Sequence, residues 1–295
     1  ESDIQEFRLE GEDFYLEVKR NLGTSLDSIT SQRIPQGFSI ERIVVVSSSD
    51  DGTNEIVQSH AEGNNRIELI REIERKGKVA AINSFLKEEK ADICVLCDAD
   101  VVLADDSLAE LLRPLKSQRI GGVTGVPVVS KERMNLIERL GALIWELHQY
   151  TTKREGKFSL FWAFRNEIED IDVNAASDDS AVQNLIKSKG YLTVQNDKSI
   201  LYCSVPDNFN EYVTQRVRWR GCQVQMLKVY PEFKIDTEFK SIFFPILKFL
   251  ISRPWKIPLF IFGSFVELYV IVKSRSELKQ NKGAFSVWEK IESSR

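Results

Sequence analysis

The sequence predicts an α/β protein in which a domain with a mostly parallel central sheet precedes an apolar helical tail. Three observations predict this class. Apolar, β-branched segments alternate along the first half of the chain with amphipathic helical patterns. Polar loops directly follow the predicted strands, and the most apolar stretch, 241–273, lies near the C-terminal end. Strands that alternate with helices are typical of a parallel sheet with helices on both faces.

The first half of the chain contains the strands on which this prediction rests. Residues 40–46 (IERIVVV) are rich in β-branched side chains, as buried strands are, and a polar loop follows them. Residues 93–97 (ICVLC) form an equally apolar run. Further strands are predicted at 66–72 and 119–130, and helices at 54–62, 74–90 and 105–117. Asp105 and Asp106 begin the predicted helix 105–117, where acids complement the helix dipole.

The second half of the chain is dominated by helical patterns. An apolar and aromatic segment, 157–168, includes Arg165, and Ser177 is a plausible N-cap for the helix that follows it. The predicted helices cover 132–153, 176–190 and 212–227. We place a domain boundary after residue 230, which divides the chain into an N-terminal domain, 1–230 (below, the catalytic unit), and a tail, 231–295.

Composition narrows the chemistry that the chain can perform. The net charge of −4 gives no basic field for nucleic acid, so we expect none as a partner. Cys94 and Cys97 form a CxxC, but residues three apart on a strand point to opposite faces, which favours buried thiols in a reducing compartment over a zinc site. His60 and His148 are the two histidines, so acid–base work falls to carboxylates.

Asp98 and Asp100 follow the apolar run 93–97 at a spacing of two residues. An acidic turn after a strand is one interpretation. The other is a pair of oxygen ligands for Mg²⁺ or Mn²⁺ beside a diphosphate. The polar loop after 40–46, which contains Ser48 and Asp51, also follows a strand end. Because ligands bind beyond the carboxyl ends of parallel strands, we expect both loops at one rim of the sheet.

Asp178 and Asp179 lie at the start of a predicted helix. They could simply complement the helix dipole. Alternatively, one of them is a general base that deprotonates an acceptor hydroxyl, since two adjacent acids repel each other and this repulsion raises one pKa.

Gln215, Arg218 and Trp219 occupy positions i, i+3 and i+4 of a basic helical segment, QRVRW. A tryptophan ring offers a stacking surface to a sugar, and arginine binds phosphate oxygens. The alternative is a solvated basic helix whose tryptophan belongs to the core.

The ordered set IVVVSSSDDGT, ERKGKVAAIN, CDAD, FSLFWAFR, SDD and QRVRW resembles family-two glycosyltransferases, over roughly residues 40–225. These are inverting enzymes with the Rossmann-like GT-A fold. The branch that the chain resembles contains the synthases of cellulose, hyaluronan and poly-N-acetylglucosamine. Each motif is degenerate, but the ordered set is specific. The resemblance implies a nucleotide-sugar donor, with a UDP-sugar favoured, a glycan or lipid-linked acceptor and a divalent metal.

The resemblance also implies a role for each motif residue. Asp98 would face the nucleotide and metal, and Asp100 would coordinate the metal. Asp179 would be the base, with Asp178 where the family usually has Glu. The nucleotide-sugar would contact Ser48, Asp51, Lys78, Gln215, Arg218 and Trp219. The acceptor would contact Phe161, Trp162, Arg165 and again Trp219.

Two departures from the family keep other functions open. The first strand of the family, with its P-x-Y-N-E-like turn, is not legible in residues 1–30, and Ser47 and Ser48 stand where an acid is common. A missing strand would favour a catalytically inactive nucleotide-sugar-binding module. Transfer to polyprenyl phosphate is another alternative, since an ionised acceptor needs no base. A nucleotidylyltransferase is disfavoured, because no Gly-rich basic loop opens the chain.

The tail contains two apolar segments, 242–251 and 257–272, each shorter than the roughly 20 residues that span a bilayer. Glu267 lies inside the second, and Arg253, Trp255 and Lys256 lie between them. Aromatic and basic side chains suit the headgroup level. We therefore expect membrane-surface helices on the cytoplasmic face; the alternative is ordinary packing on the catalytic unit.

Overall fold

A mixed eight-stranded sheet forms the centre of the protein. The computed structural model describes residues 6–11, 18–48, 52–72, 76–88, 91–131, 133–230 and 239–280. The strands are β1 (Glu6–Gly11), β2 (Arg42–Ser47), β3 (Ile67–Arg71), β4 (Ile93–Asp98), β5 (Val102–Leu103), β6 (Ile120–Val129), β7 (Phe161–Arg165) and β8 (Leu192–Cys203). The helices are α1 (Val18–Thr30), α2 (Thr53–Gly63), α3 (Lys78–Glu88), α4 (Ser107–Leu112), α5 (Leu136–Thr152), α6 (Asp178–Ser188), α7 (Phe209–Val229), α8 (Phe239–Ser252) and α9 (Ile257–Gln280). Short 3₁₀ turns follow α4 and precede α9.

The strand order is β3-β2-β1-β4-β7-β6-β8-β5. Strands β3, β2, β1 and β4 are mutually parallel, whereas β7 is antiparallel to both of its neighbours. Strand β2 ends at Ser47 and β4 ends at Asp98, with only β1 between them. The two polar loops therefore leave one rim of the sheet, as the sequence predicted.

Each face of the sheet carries its own hydrophobic core, because side chains alternate along the strands. Val45 and Val95 face a core that includes α1, α2 and α4. Val44 and Leu96 face a second core that includes α3 and α6. Cys94 and Cys97 belong to different cores, and both thiols are buried, so they face opposite sides of the sheet as the strand spacing predicted.

Four strands were not predicted as strands from the sequence: β1, β5, β7 and β8. Strand β1 lies at the centre of the sheet, although central parallel strands normally read as continuous apolar runs and EFRLEG alternates charged with apolar residues. Strand β8 contains the polar run QND and reads as a loop. The presence of β1 corrects the expectation of a missing first strand and removes the observation that favoured an inactive module.

A third core attaches the tail to the rest of the protein. Val266 and Val270 of α9 pack with Leu140 of α5 and with Tyr212 and Val217 of α7. Helix α8 contacts α5 through an edge-to-face pair between Phe249 and Tyr150, whose ring centroids are 5.7 Å apart. The domain boundary at residue 230 stays a prediction, because residues 231–238 lie outside the described part of the chain.

Helix α9 also corrects our estimate of the length of the second apolar segment. Residues Pro254–Ser276 form a 23-residue helical stretch, and an 18-residue window within it has a mean hydropathy of 1.7 and is 22% buried. In length and composition this is the one helix in the described residues that could cross a membrane. The apolar segment predicted from the sequence, 257–272, is shorter than this stretch because it leaves out residues 254–256 and the residues beyond Val272.

Candidate active site

Lys78, at the start of α3, connects the two acidic motifs. Its Nζ lies 2.7 Å from Asp98 Oδ1, at the end of β4, and 3.3 Å from Asp178 Oδ2, at the start of α6. The two motifs are 80 residues apart in the sequence, as the numbers 98 and 178 show. A single ammonium group that contacts both carboxylates places the motifs in one site.

Asp100 is the second acid of the first motif. The pKa shifts of Asp98 and Asp100 indicate whether a divalent cation fits beside them. Burial, followed by the negative charge of Asp98, raises the pKa of Asp100 to about 7. Burial also raises the pKa of Asp98, although the charge of Lys78 opposes this. Two carboxylates this close are poorly compensated by one lysine, so a second positive charge would stabilise their ionised forms.

The described residues contain no group of three or more His, Cys, Asp or Glu side chains arranged to hold a metal. A fully protein-built cage is therefore not what these residues form. Mg²⁺ and Mn²⁺ instead commonly use one or two carboxylates and complete their coordination with water and substrate phosphates. Asp98 and Asp100 fit that second arrangement.

Asp179 has one oxygen engaged and one open. Its Oδ1 accepts hydrogen bonds from the Ser177 hydroxyl and, at 2.6 Å, from the Ser180 backbone N–H. The described residues place no hydrogen-bond donor on Oδ2. Burial and the charge of Asp178 raise the pKa of Asp179, while the hydrogen bond from Ser177 and the charges of Lys157 and Lys78 lower it. A carboxylate with a raised pKa and an open oxygen has the properties of a general base.

Ser177 is the residue before α6, as predicted, but its hydroxyl does not cap the helix backbone. The hydroxyl donates instead to the carboxylate of Asp179 and lies 3.0 Å from the Ser180 hydroxyl. Ser177 therefore orients the carboxylate of Asp179, which is a role in the site and not only in the helix.

Helix α7 brings the QRVRW motif beside these acids. Cys222, one turn beyond Arg218, has its thiol pKa raised to about 12 by burial, with a smaller lowering effect from Arg218 and raising effects from Asp179 and Asp178. Gln215 and Arg218 are half-buried on this helix, and Trp219 is 37% exposed. The exposure of Trp219 argues against the alternative in which it belongs to the core.

Two cations that the sequence analysis did not include in the site lie close to the ring of Trp219. The Arg216 guanidinium is 4.6 Å from the ring centroid, and Lys157 Nζ is 5.6 Å from it. Lys157 also acts electrostatically on Asp179. Lys157 precedes β7 in the charged run KREGK, where no periodic pattern distinguishes one lysine from its neighbours.

His148 lies near the same two cations. Burial, together with the charges of Lys157 and Arg216, lowers the pKa of His148 to about 3. The imidazole is therefore neutral at physiological pH.

The predicted acceptor residues on β7 require correction. Phe161 and Trp162 are 0% and 1% exposed and belong to the cores on opposite faces of the sheet. Trp162 stacks on Phe158 with a centroid distance of 4.7 Å. Side chains with no accessible surface cannot contact an acceptor, and their aromatic character serves packing instead.

Arg165 is also engaged within the fold. Its Nη2 donates to the Leu115 carbonyl at 2.7 Å, and its Nε donates to the Ile120 carbonyl at 3.0 Å. These bonds fix the end of β7 to the turn before β6, so the structure gives Arg165 a structural role in place of acceptor binding.

The remaining nucleotide residues are only partly described. Ser48 is exposed and directly follows β2 at the rim that Asp98 shares. Asp51 lies outside the described residues. Asp106, which we expected at a helix start, immediately precedes α4 and pairs with Arg33 Nε at 2.5 Å, away from the acidic site.

Comparison with known protein families identifies the family to which the chain belongs. Residues 14–181, more than half of the chain, match the model of glycosyl transferase family 2. The chain belongs to glycosyl transferase family 2. Membership confirms the resemblance and the enzyme class that the ordered motifs predicted.

Relatives of known activity are distant. The chain is 24% identical over 232 residues to a poly-beta-1,6-N-acetyl-D-glucosamine synthase of Staphylococcus aureus, covering 74% of this chain and 55% of the synthase. It is 22% identical over 298 residues to the Staphylococcus epidermidis synthase, covering 95% and 70%. The chain thus spans about half the length of the first of these relatives.

A solved structure supports the fold. The mannosyltransferase PcManGT from Pyrobaculum calidifontis, in complex with GDP-Man and Mn²⁺, superimposes with a TM-score of 0.61. The two sequences are 22% identical, and the match covers 94% of this chain and 78% of the other. At this identity the match shows the fold alone, which is the GT-A fold that the sequence predicted.

Proposed function

We propose that this family 2 member transfers a sugar, with inversion, from a nucleotide-sugar to a hydroxyl of a glycan or glycolipid acceptor. The observation that carries the proposal is the position of Lys78, which contacts both Asp98 and Asp178. A donor diphosphate beside Asp98 and Asp100 and an acceptor hydroxyl beside Asp179 would then meet in one site. This is the geometry that direct displacement requires.

The reaction assigns one step to each end of the site. Oδ2 of Asp179 accepts the proton of the acceptor hydroxyl while the hydroxyl oxygen attacks the anomeric carbon. The bond between that carbon and the phosphate oxygen breaks, and the nucleoside diphosphate leaves with the bonding pair. Attack opposite to the leaving group inverts the configuration without a covalent enzyme intermediate.

Asp98 and Asp100 would hold Mg²⁺ or Mn²⁺ together with the donor phosphates. When bound, the cation supplies positive charge that stabilises the leaving diphosphate. Lys78 donates to Asp98 Oδ1 and so orients this carboxylate, and its charge opposes the rise in the pKa of Asp98 that burial causes. Trp219 is 37% exposed and offers aromatic surface for a sugar of the acceptor, with Arg216 and Lys157 close to its ring.

A UDP-sugar is our proposed donor. The relatives named for poly-beta-1,6-N-acetyl-D-glucosamine favour an N-acetylhexosamine, although the structurally similar mannosyltransferase holds GDP-Man. The test is a thermal-shift screen of UDP- and GDP-sugars with and without Mn²⁺, followed by NMR of the product. A Mn²⁺-dependent stabilisation by a UDP-sugar and an inverted anomeric linkage support the proposal. Stabilisation by GDP-mannose alone would contradict the donor assignment.

We also propose that the tail associates with a membrane, with the catalytic unit on the cytoplasmic face. Helices α8 and α9 expose large apolar side chains while their other faces pack on α5 and α7. The exposed residues of α9 include Ile261, Phe265, Leu268, Tyr269 and Val272. Contiguous exposed apolar patches of this kind mark interaction or membrane sites.

Vesicle flotation tests the association without cutting the chain. A Phe265→Glu, Leu268→Glu double variant should float with lipid vesicles less than the unchanged protein. Val173→Glu is the matched control, since Val173 is exposed and apolar but lies between β7 and α6. Equal flotation of the double variant and the control would contradict a membrane role for α9.

A further inference from the structure

A cavity of about 720 Å³ lies between the carboxyl end of β6, α5 and the start of α9. Its volume falls within the range of small-molecule sites, roughly 300–1,000 Å³. The lining is mainly apolar and includes Val129, Leu136, Trp145, Trp255, Leu259 and Phe262. None of the four acids of the candidate active site lines it.

Trp145 connects the wall of this cavity to the part of the site that contains Lys157 and Arg216. It lines the cavity, and its ring meets the ring of His148 edge-on at a centroid distance of 5.8 Å. His148 in turn is close enough to Lys157 and Arg216 for their charges to lower its pKa. The cavity wall is therefore linked to the acceptor end of the site through Trp145 and His148.

The charged and amide side chains that line the cavity are Arg139, Glu146, Gln149 and Lys256. Lys256 forms an ion pair with Glu146, and both residues line the wall. Arg139 is exposed, and its Nε donates to the Met134 carbonyl at 3.1 Å. The pair neutralises itself, so Arg139 contributes the net charge. An apolar ligand with an anionic end matches this distribution.

The cavity is continuous with the exposed face of α9. Phe262 lines the cavity, and Phe265, Tyr269 and Val272 follow it at spacings of three or four residues, on one side of the helix. Trp255, at the other edge, is 71% exposed, as aromatic side chains at the headgroup level are. A molecule that lies along α9 would thus reach the cavity without leaving apolar surface.

We propose that this cavity binds the acyl chain of a membrane phospholipid, with the lipid phosphate beside Arg139. The inference rests on the membrane association proposed above for α9. An acyl chain is long, apolar and uncharged, so it fills the lining without leaving a buried polar group unpaired. A bound chain would hold the start of α9 against α5, directly behind the cations that contact Trp219.

Photolabelling of the full chain tests this inference. The protein is mixed with phosphatidylglycerol vesicles that contain a phospholipid with a diazirine on its acyl chain, irradiated, digested and analysed by mass spectrometry. We expect label on Met134, Leu136 or Leu259 in the cavity, and also on Phe265 or Leu268 along the exposed face. Label on the exposed face reports membrane association, and label in the cavity reports the acyl-chain site.

Variants separate the two results. Ala142 lines the cavity, so Ala142→Phe should reduce cavity labelling about tenfold and leave labelling of Phe265 unchanged, whereas Ala142→Ser should label normally. Arg139→Gln, at the exposed rim, tests the same site if Ala142→Phe fails to fold, and should also reduce cavity labelling. Label confined to the exposed face of α9 would overturn the acyl-chain site alone. Absence of label from both regions would overturn it together with the membrane association.

Discussion

Arg216 forms a two-point ion pair with Glu267: its Nε lies 2.7 Å from Oε1 and its Nη2 lies 3.1 Å from Oε2. The same guanidinium lies over the ring of Trp219 in the QRVRW motif. Arg220 adds a further bond to Glu267 Oε2 at 3.1 Å. One carboxylate of the apolar helix α9 therefore holds the helix that carries the motif. Glu267 is the acid inside the apolar segment of the tail. Its charge is paired with Arg216 and Arg220.

Glu267→Gln should destabilise the protein and also displace Trp219. The substitution leaves two half-buried guanidinium groups without their carboxylate, which costs about 1.5–3 kcal/mol. The free energy of unfolding in urea measures this cost, and the acceptor KM of the folded variant measures the displacement. Ser264→Ala is the control, because within the described part of the chain the Ser264 hydroxyl donates to the Phe260 carbonyl of its own helix. Stability equal to that of the control would show that the ion pair does not hold α7.

Asp100→Asn should weaken Mn²⁺-dependent nucleotide binding. An amide oxygen carries no charge and is a poorer ligand for a hard cation than a carboxylate. Calorimetric titration of UDP into the protein, with and without Mn²⁺, measures the difference. Asp105→Asn provides the control, since Asp105 lies in the turn before α4 and not in the acidic site. Unchanged Mn²⁺-dependent affinity in Asp100→Asn would remove this residue from the metal site.

Lys157→Met should move the acid limb of the pH–rate profile to higher pH. The charge of Lys157 lowers the pKa of Asp179, so its removal raises that pKa further. Asp179 acts only when deprotonated, and activity is therefore lost as the pH falls through this pKa. The measurement is kcat/KM as a function of pH. Lys153→Met is the control, because Lys153 pairs with Asp197. A limb that does not move, or that moves to lower pH, would contradict the proposed proximity of Lys157 to the base.

Trp219→Ala should impair transfer more than it impairs folding. The ring is 37% exposed and is the proposed platform for a sugar, so its removal should act on acceptor binding in addition to the packing that Ala loses. We expect a rise in acceptor KM of about tenfold in a variant that is destabilised but still folded at the assay temperature. Trp219→Phe, which keeps an aromatic face, should recover part of the loss. A folded Ala variant with normal acceptor KM would exclude this role.

The sequence predicted the sheet well wherever strands were continuously apolar. Strands β2 and β4 were legible because both faces of each are buried, so every residue is under the same constraint. Strand β1 was not legible, because its charged and apolar residues alternate although it lies between two buried strands. Its pairing is set by backbone hydrogen bonds to neighbours far away in the sequence, which periodicity does not report.

Only part of the site was predicted, because only its motif residues carry a signal in the local sequence. Motif residues such as Asp98 and Asp178 could be found because a resemblance identifies them one by one. Lys157 and Glu267 could not, since each acts through a tertiary contact with α7 that no local pattern contains. Trp162 was misassigned for the opposite reason: an aromatic residue beside a motif is equally suited to packing a core, and burial alone distinguishes the two roles.

The central claim is that the two acidic motifs form one active site in which Asp179 is the base, and single-turnover transfer by Asp179→Asn tests it most directly. The account predicts that this variant binds the nucleotide-sugar and Mn²⁺ normally and transfers sugar about 10²–10⁴-fold more slowly. Asp178→Asn should slow transfer less, because Asp178 contacts Lys78 and contributes charge to the site without taking the proton. Normal transfer by Asp179→Asn, or a larger loss in Asp178→Asn, would contradict the account.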